Sequence, residues 1–209
     1  MSDAAAVETD HGHGHDEHDP HATYTGLDNV KLAMWAFLGS ECLFFGALIS
    51  AHLLYRNRTN DGPSRHDVYD IPFTSVSSFV LLMSSLTMVL ALAAIQRGDH
   101  RKLRIWLMAT SLLGVSFIGG QFFEFTEFIH KGLTIQTSPF GSSFFVLTGF
   151  HGTHVAIGIL MLLTMYTLSR LGKLDPYSEG AKKVEMVGLY WHFVDIVWIV
   201  IFTVIYLFP

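Results

Sequence analysis

From Leu32 onward the chain alternates between long apolar runs and short polar breaks, and five runs reach the roughly 20 residues that a helix needs to cross a bilayer. They cover residues 32–54, 73–95, 105–125, 143–168 and 184–208. Breaks such as Asn57-Arg58-Thr59-Asn60-Asp61-Gly62-Pro63 and Gly172-Lys173-Leu174-Asp175-Pro176 separate them. Lipid offers the backbone no hydrogen bonds, so each run must satisfy its own as a helix. The pattern predicts an all-α polytopic membrane protein, a bundle of five transmembrane helices in one domain over residues 31–209. The breaks are too short to hold a separate soluble domain, and no internal repeat is visible.

Composition agrees with a membrane as solvent. Half of the residues are hydrophobic, 15% are charged, and the mean hydropathy is +0.39, more apolar than a soluble domain requires. A net charge of −5 leaves no basic footprint for nucleic acid. The single cysteine, Cys42, excludes an internal disulfide and a cysteine metal cluster. Residues 1–30 are of another kind: His11, His13, His15, His18 and His21 alternate with Gly12, Gly14, Asp16, Glu17, Asp19 and Pro20. With so few apolar residues the stretch reads as a disordered His-rich tail. It lacks the positive start, short apolar run and cleavage site of a signal peptide. Imidazoles and carboxylates at irregular spacing on a flexible tract make a weak metal site at best.

Lys and Arg near helix ends are retained on the cytoplasmic face. With the tail inside, that side carries Lys31, Arg97, Arg101, Lys102, Arg104, Arg170, Lys173, Lys182 and Lys183, against Arg56, Arg58, Arg65 and Lys131 outside. The imbalance places the N-terminus in the cytoplasm and, after five crossings, the C-terminus outside.

Polar side chains inside the runs are costly in hydrocarbon and are the candidates for chemistry. Glu41 lies nine residues beyond Leu32, about 14 Å deep at the helical rise. It must stay protonated or accept hydrogen bonds from another helix. His52, eleven residues later, shares its face but is expected at the outer interface. His151 and His154 project from one face of the fourth run at a depth where they can meet Glu41. In the fifth run His192 and Asp195 are expected to pair with each other. Gln121, Glu124 and Glu127 follow one another toward the outer end of the third run, as a shallower, partly wet cluster. The small pairs Gly46/Ser50, Ser116/Gly120 and Gly152/Ala156 are expected to let helices approach closely. For each buried polar group the plain alternative is helix gluing, worth under about 1 kcal/mol apiece.

Four segments carry a family resemblance. Gly39-Ser40-Glu41 with Leu43-Phe44-Phe45-Gly46, Phe117-Ile118-Gly119-Gly120-Gln121-Phe122-Phe123-Glu124-Phe125, Phe150-His151-Gly152-Thr153-His154-Val155 and Tyr190-Trp191-His192-Phe193-Val194-Asp195-Ile196-Val197-Trp198 stand in the order and helices of haem-copper oxidase subunit III. The chain resembles the short, five-helix bacterial form of that family from Leu32 onward. The resemblance implies an accessory subunit without redox centres in a proton-pumping terminal oxidase of the bacterial cell membrane, with haem and copper in partner subunits. It implies subunits I, II and a small subunit IV as partners, and phospholipid held nearby. It further implies stabilisation of subunit I and a proton-uptake role at Glu41, with His151, His154, His192 and Asp195 at matching positions. Five-helix members serve cytochrome c oxidases and quinol oxidases alike; the larger group, cytochrome c oxidase, is the default. The two helices that precede this unit in the seven-helix form are missing, and with them one wall of the family's lipid cleft.

Two readings from other classes remain. A small proton channel or transporter would line a path with Glu41, the histidine pair and His192-Asp195, and would show broken helices or repeated halves. A di-haem membrane cytochrome would use histidines on facing helices, but Thr153 and Asp195 compete for them.

Overall fold

The computed structural model describes residues 29–59, 71–174 and 179–207; the expected His-rich tail lies outside the described residues. Five helices follow one another: α1 Asn29–Tyr55, α2 Ile71–Gln96, α3 His100–His130, α4 Pro139–Arg170 and α5 Glu179–Phe202, which runs on into a π-helical turn over Thr203–Leu207. All five are long and apolar enough to span a membrane, with mean hydropathies between 1.4 and 2.3 over their most apolar windows.

The helix ends follow from local chemistry. The Asp99 carboxylate caps α3 by accepting from the Lys102 N–H at 3.0 Å, a bond that holds the acid below its ordinary range, helped by the Lys102 ammonium. Ser138 caps α4 by accepting from the Gly141 N–H at 3.1 Å, and Pro139 follows at a position where a missing N–H costs nothing. Gly98, at φ 71°, takes the left-handed conformation that turns the chain between α2 and α3.

Helices α2, α3, α4 and α5 close a ring in which each touches its two neighbours, while α1 lies outside it against α4 and α5. In the most apolar window of α5, 56% of residues are buried; in that of α1, 11% are. Leu43, 78% exposed, shows how much of α1 faces outward. At one end α1 is tied to α5 by Lys31 and Glu185, 2.8 Å apart.

Trp191 and Trp198 on α5 fill the middle of the ring. Trp191 presses between Gly114 of α3 and Gly158 of α4, where an added Cβ would come within 2.7 Å and 2.8 Å of its ring. Its indole N–H donates to Ser84 Oγ at 2.9 Å. Trp198 does the same to Ser78 Oγ at 2.9 Å, with its ring against Phe117 and His151. Of the expected close approaches, those at Gly120 (3.1 Å from Ser77 Oγ) and Gly152 (2.8 Å from Gln121 Oε1) hold, but at Gly46 nothing lies within 4 Å. Gly46 points away from the ring because α1 meets the bundle through Leu38, Phe45 and His52 instead.

Candidate functional site

Helix geometry brings the polar residues into three places. The first joins α1 to α4. Glu41 stands twelve residues into a helix of 27, near mid-membrane. Its Oε2 is 3.2 Å from His154 Nε2, both side chains being largely covered, at 18% and 13% exposure. The Phe45 ring lies edge-on to the imidazole at 5.0 Å, and Phe44 meets Phe150 alongside. His154 Nδ1 is 2.8 Å from the Phe150 carbonyl; a carbonyl only accepts, so Nδ1 carries a proton. Nε2 is thereby turned toward Glu41. The contact is close, yet its alignment falls short of a hydrogen bond on Oε2.

His151 does not join it. The expectation that both histidines meet Glu41 fails because residues three apart on α4 diverge enough to face different helices. His151 is fully buried inside the ring and donates from Nε2 to the Val194 carbonyl of α5 at 3.2 Å. Its Nδ1 has no hydrogen-bond partner.

The second place lies between α2 and α5. His192 and Asp195 do not pair; His192 turns instead to Ser85 of α2. His192 Nδ1 is 2.6 Å from Ser85 Oγ. Asp195 is 4% exposed and its Oδ1 has no hydrogen-bond partner. A hydroxyl on the neighbouring helix outcompetes a residue three positions along the same helix, because it faces His192 across the seam.

The third place is the end of the ring where α3 finishes and α4 begins. Glu124 is buried, and its Oε1 accepts from the Thr74 hydroxyl at 2.7 Å and the Tyr206 hydroxyl at 2.9 Å. Gln121, also buried, donates to the Thr148 carbonyl at 3.0 Å. Only Glu127 of the expected wet cluster is partly exposed, in an ion pair with Lys131 at 2.8 Å. Gln121 and Glu124 are interior because their face of α3 meets α2, α4 and the π-helical turn, and α3 continues past them to His130. His52, expected at the interface, is likewise buried, with Nδ1 at 3.1 Å from Ser143 Oγ and Phe140 and Phe144 around it.

The residues missed in the sequence are the partners: Thr74, Ser78, Ser84 and Ser85 on α2, and Tyr206 in the π-turn. Their signal was the density of hydroxyls along one apolar run, Thr74, Ser75, Ser77, Ser78, Ser84, Ser85 and Thr87. Among the described residues no group of three or more His, Cys, Asp or Glu side chains is placed to hold a metal ion.

Comparison with known proteins adds an independent line. The family model for cytochrome c oxidase subunit III matches residues 13–209. Similar curated proteins include a cytochrome c oxidase subunit 3 from Bacillus sp. (strain PS3), 40% identical over 86% of each chain, and a quinol oxidase subunit 3 from Bacillus spizizenii, 39% identical over 88% of each. A cytochrome bo(3) ubiquinol oxidase subunit 3 from Pseudomonas aeruginosa is 34% identical over 99% of this chain and 94% of its own.

Proposed function

Since this chain belongs to the cytochrome c oxidase subunit III family, a multi-pass membrane component of an oxidoreductase complex, we propose that it is an accessory subunit that protects subunit I and assists proton uptake. The observation that carries the reading is the Glu41–His154 pair at mid-membrane.

With Nδ1 donating to the Phe150 carbonyl, Nε2 faces the Glu41 carboxyl group at 3.2 Å, two groups that each can take up a proton side by side. Proton transfer between the two requires this contact to tighten into a hydrogen bond. A group of this kind can hold a proton briefly beside a machine that consumes protons. The rest of the assignment is a set of expectations about the assembly. Haem and copper reside in subunits I and II, a small subunit IV completes the complex, and this chain contributes no redox centre. The N-terminus faces the cytoplasm of a bacterial cell membrane and the C-terminus faces outward. A groove of about 610 Å³ at the outer end, between α1 and the start of α4, has an apolar floor of Leu48, Ala51 and Val146 beneath Tyr55, Gln136 and Ser142; it suits an acyl chain with a polar head, so phospholipid is its expected occupant.

The electron donor is taken as cytochrome c, with quinol as the second reading, since relatives carry both names. A separate proton channel or transporter fits less well, because α1 to α4 run unbroken through the span.

The test is purification on a C-terminal tag in mild detergent, with an absorption spectrum and identification of every co-purifying chain. Haem-bearing partners and oxygen consumption support the reading, and a colourless protein running alone sinks it. In the complex, Glu41→Ala is expected to leave assembly and electron transfer intact while shortening the enzyme's lifetime in turnover or altering proton delivery. Unchanged inactivation and pumping would remove Glu41 from the proposal.

A further inference from the structure

Helices α3 and α4 run antiparallel in one register. Gly114 faces Ile159, whose side chain lies 3.1 Å from where a Cβ would stand, and seven residues on Gln121 faces Gly152 at 2.8 Å. Counting ten residues back from Gly114 sets Arg104 level with Ser169, beside Arg170 in the last turn of α4. Each helix therefore brings an arginine to the same end of the seam between them.

Helical spacing decides what lies beneath those arginines. Met108 and Val115, four and eleven residues past Arg104, share its face of α3, and Leu163 and Leu160, seven and ten residues before Arg170, follow it down α4. Val115, Leu160 and Leu163 are 53%, 64% and 37% exposed. The ring interior lies on the other side of both helices, where Trp191 presses between Gly114 and Gly158. The outer side of the seam is thus an apolar strip open to hydrocarbon, with two guanidinium groups at its head.

These charges are not neutralised within the chain. Among the described residues the side chains of Arg101, Arg104 and Lys173 make no ion pair, and Arg170 reaches the Tyr166 hydroxyl at 3.4 Å. Asp99 and Glu185, acids at the same end, are engaged with Lys102 and Lys31. Arg104 is half-buried, as befits a side chain whose stem covers apolar surface while its head stays at the polar layer.

We propose that the outer α3–α4 seam binds an anionic phospholipid of the adjacent leaflet. Its phosphate sits between Arg104 and Arg170, matching the planar donor forks of the two guanidinium groups, and an acyl chain lies along Val115, Leu160 and Leu163. Arg101 and Lys173 add to the positive field, which favours a net negative headgroup over a zwitterionic one that carries its own ammonium. The exposed apolar strip under the cations favours lipid over an acidic segment of a partner subunit. The site stands at the opposite end of the bundle from the groove beside Tyr55, and it requires that the helices span a bilayer, not that the proton-uptake reading hold.

The experiment strips the assembled complex of lipid in detergent, titrates it with phosphatidylglycerol or phosphatidylcholine, and counts bound lipid by native mass spectrometry. Removing one cation is expected to weaken the phosphatidylglycerol site about fivefold, so Arg104→Gln with Arg170→Gln should weaken it by more than about tenfold, while phosphatidylcholine binding changes little. The single variants serve where the double one fails to assemble, and Arg104→Lys with Arg170→Lys, which keeps the charge, should retain most of the affinity. Unchanged phosphatidylglycerol affinity in the glutamine variants overturns the proposal, and loss of a co-purifying chain in its place assigns the cations to a protein contact. An equal fall for both lipids overturns it as well, since the seam would not read charge. So does an equal fall in Arg58→Gln, a cation removed at the other end of the bundle, which would mark diffuse attraction. Displacement of the lipid by excess inorganic phosphate would show a phosphate site that makes no use of the apolar strip, and would also overturn it.

Discussion

Trp191 shows what a single residue can impose on this bundle. Its ring occupies the space that side chains at Gly114 and Gly158 would need, and its N–H ends on Ser84. Gly158→Ala is therefore expected to push a Cβ into the ring and destabilise the subunit by about 1–3 kcal/mol, read as a lower thermal midpoint in detergent; Gly46→Ala, with nothing near its Cβ, serves as the neutral control. The histidines make the complementary point about legibility. That Glu41, His154 and Asp195 are polar in the middle of apolar runs is plain from the residue order, because hydropathy marks them directly. Which atom meets which is not. A helix direction is uncertain by tens of degrees until its neighbours are known, and a few tens of degrees decide whether His151 faces Glu41 or, as it does, the Val194 carbonyl. The His192–Asp195 pairing failed for a related reason: the better partner for His192 stood on another helix, 107 positions away in the chain.

At the level of elements, the five helices were readable because lipid allows no other form for an apolar run of that length. The runs underestimated the ends, where polar turns continue each helix into the interface. Those ends are held by caps that titrate or can be deleted. Asp99 is kept below its ordinary value of 3.8 by the Lys102 N–H and, secondarily, its ammonium. A depressed acid stabilises above its ordinary value and loses that contribution as pH falls through the lowered one. Asp99→Asn keeps a capping oxygen but not the charge, so its thermal midpoint should lie below wild type at neutral pH and converge with it in acid; a constant gap down to pH 3 would show that the charge is not what matters. Ser138→Ala removes the acceptor for the Gly141 N–H and should cost about 1 kcal/mol, measured as destabilisation localised to the start of α4 by hydrogen exchange.

Over the whole molecule, the arrangement of a four-helix ring with α1 on its flank makes the sides of the membrane consequential. Five spans put the chain's ends on opposite sides, and the orientation proposed from the cation count has Lys31, Arg97, Arg101, Lys102, Arg104, Arg170, Lys173, Lys182 and Lys183 inside. The outer side then holds the buried Glu124 with Thr74 and Tyr206, together with the groove at the start of α4. Glu41 lies between them, against His154 of α4. A proton-uptake role requires access from the cytoplasm, so it depends on this orientation and fails if the chain is inverted. A reporter that matures only outside the cytoplasm, fused after Pro209, is expected to be active, and one that matures only in the cytoplasm is expected to be inactive there and active when fused ahead of Met1. The opposite pattern would move the arginine-rich α2–α3 turn outside, against the usual retention of cations, and would leave Glu41 facing the wrong supply of protons. Replacing Arg97, Arg101, Lys102 and Arg104 by Asn tests the cause: if these four set the orientation, the population of correctly oriented chains should fall, with the C-terminal reporter losing activity in proportion.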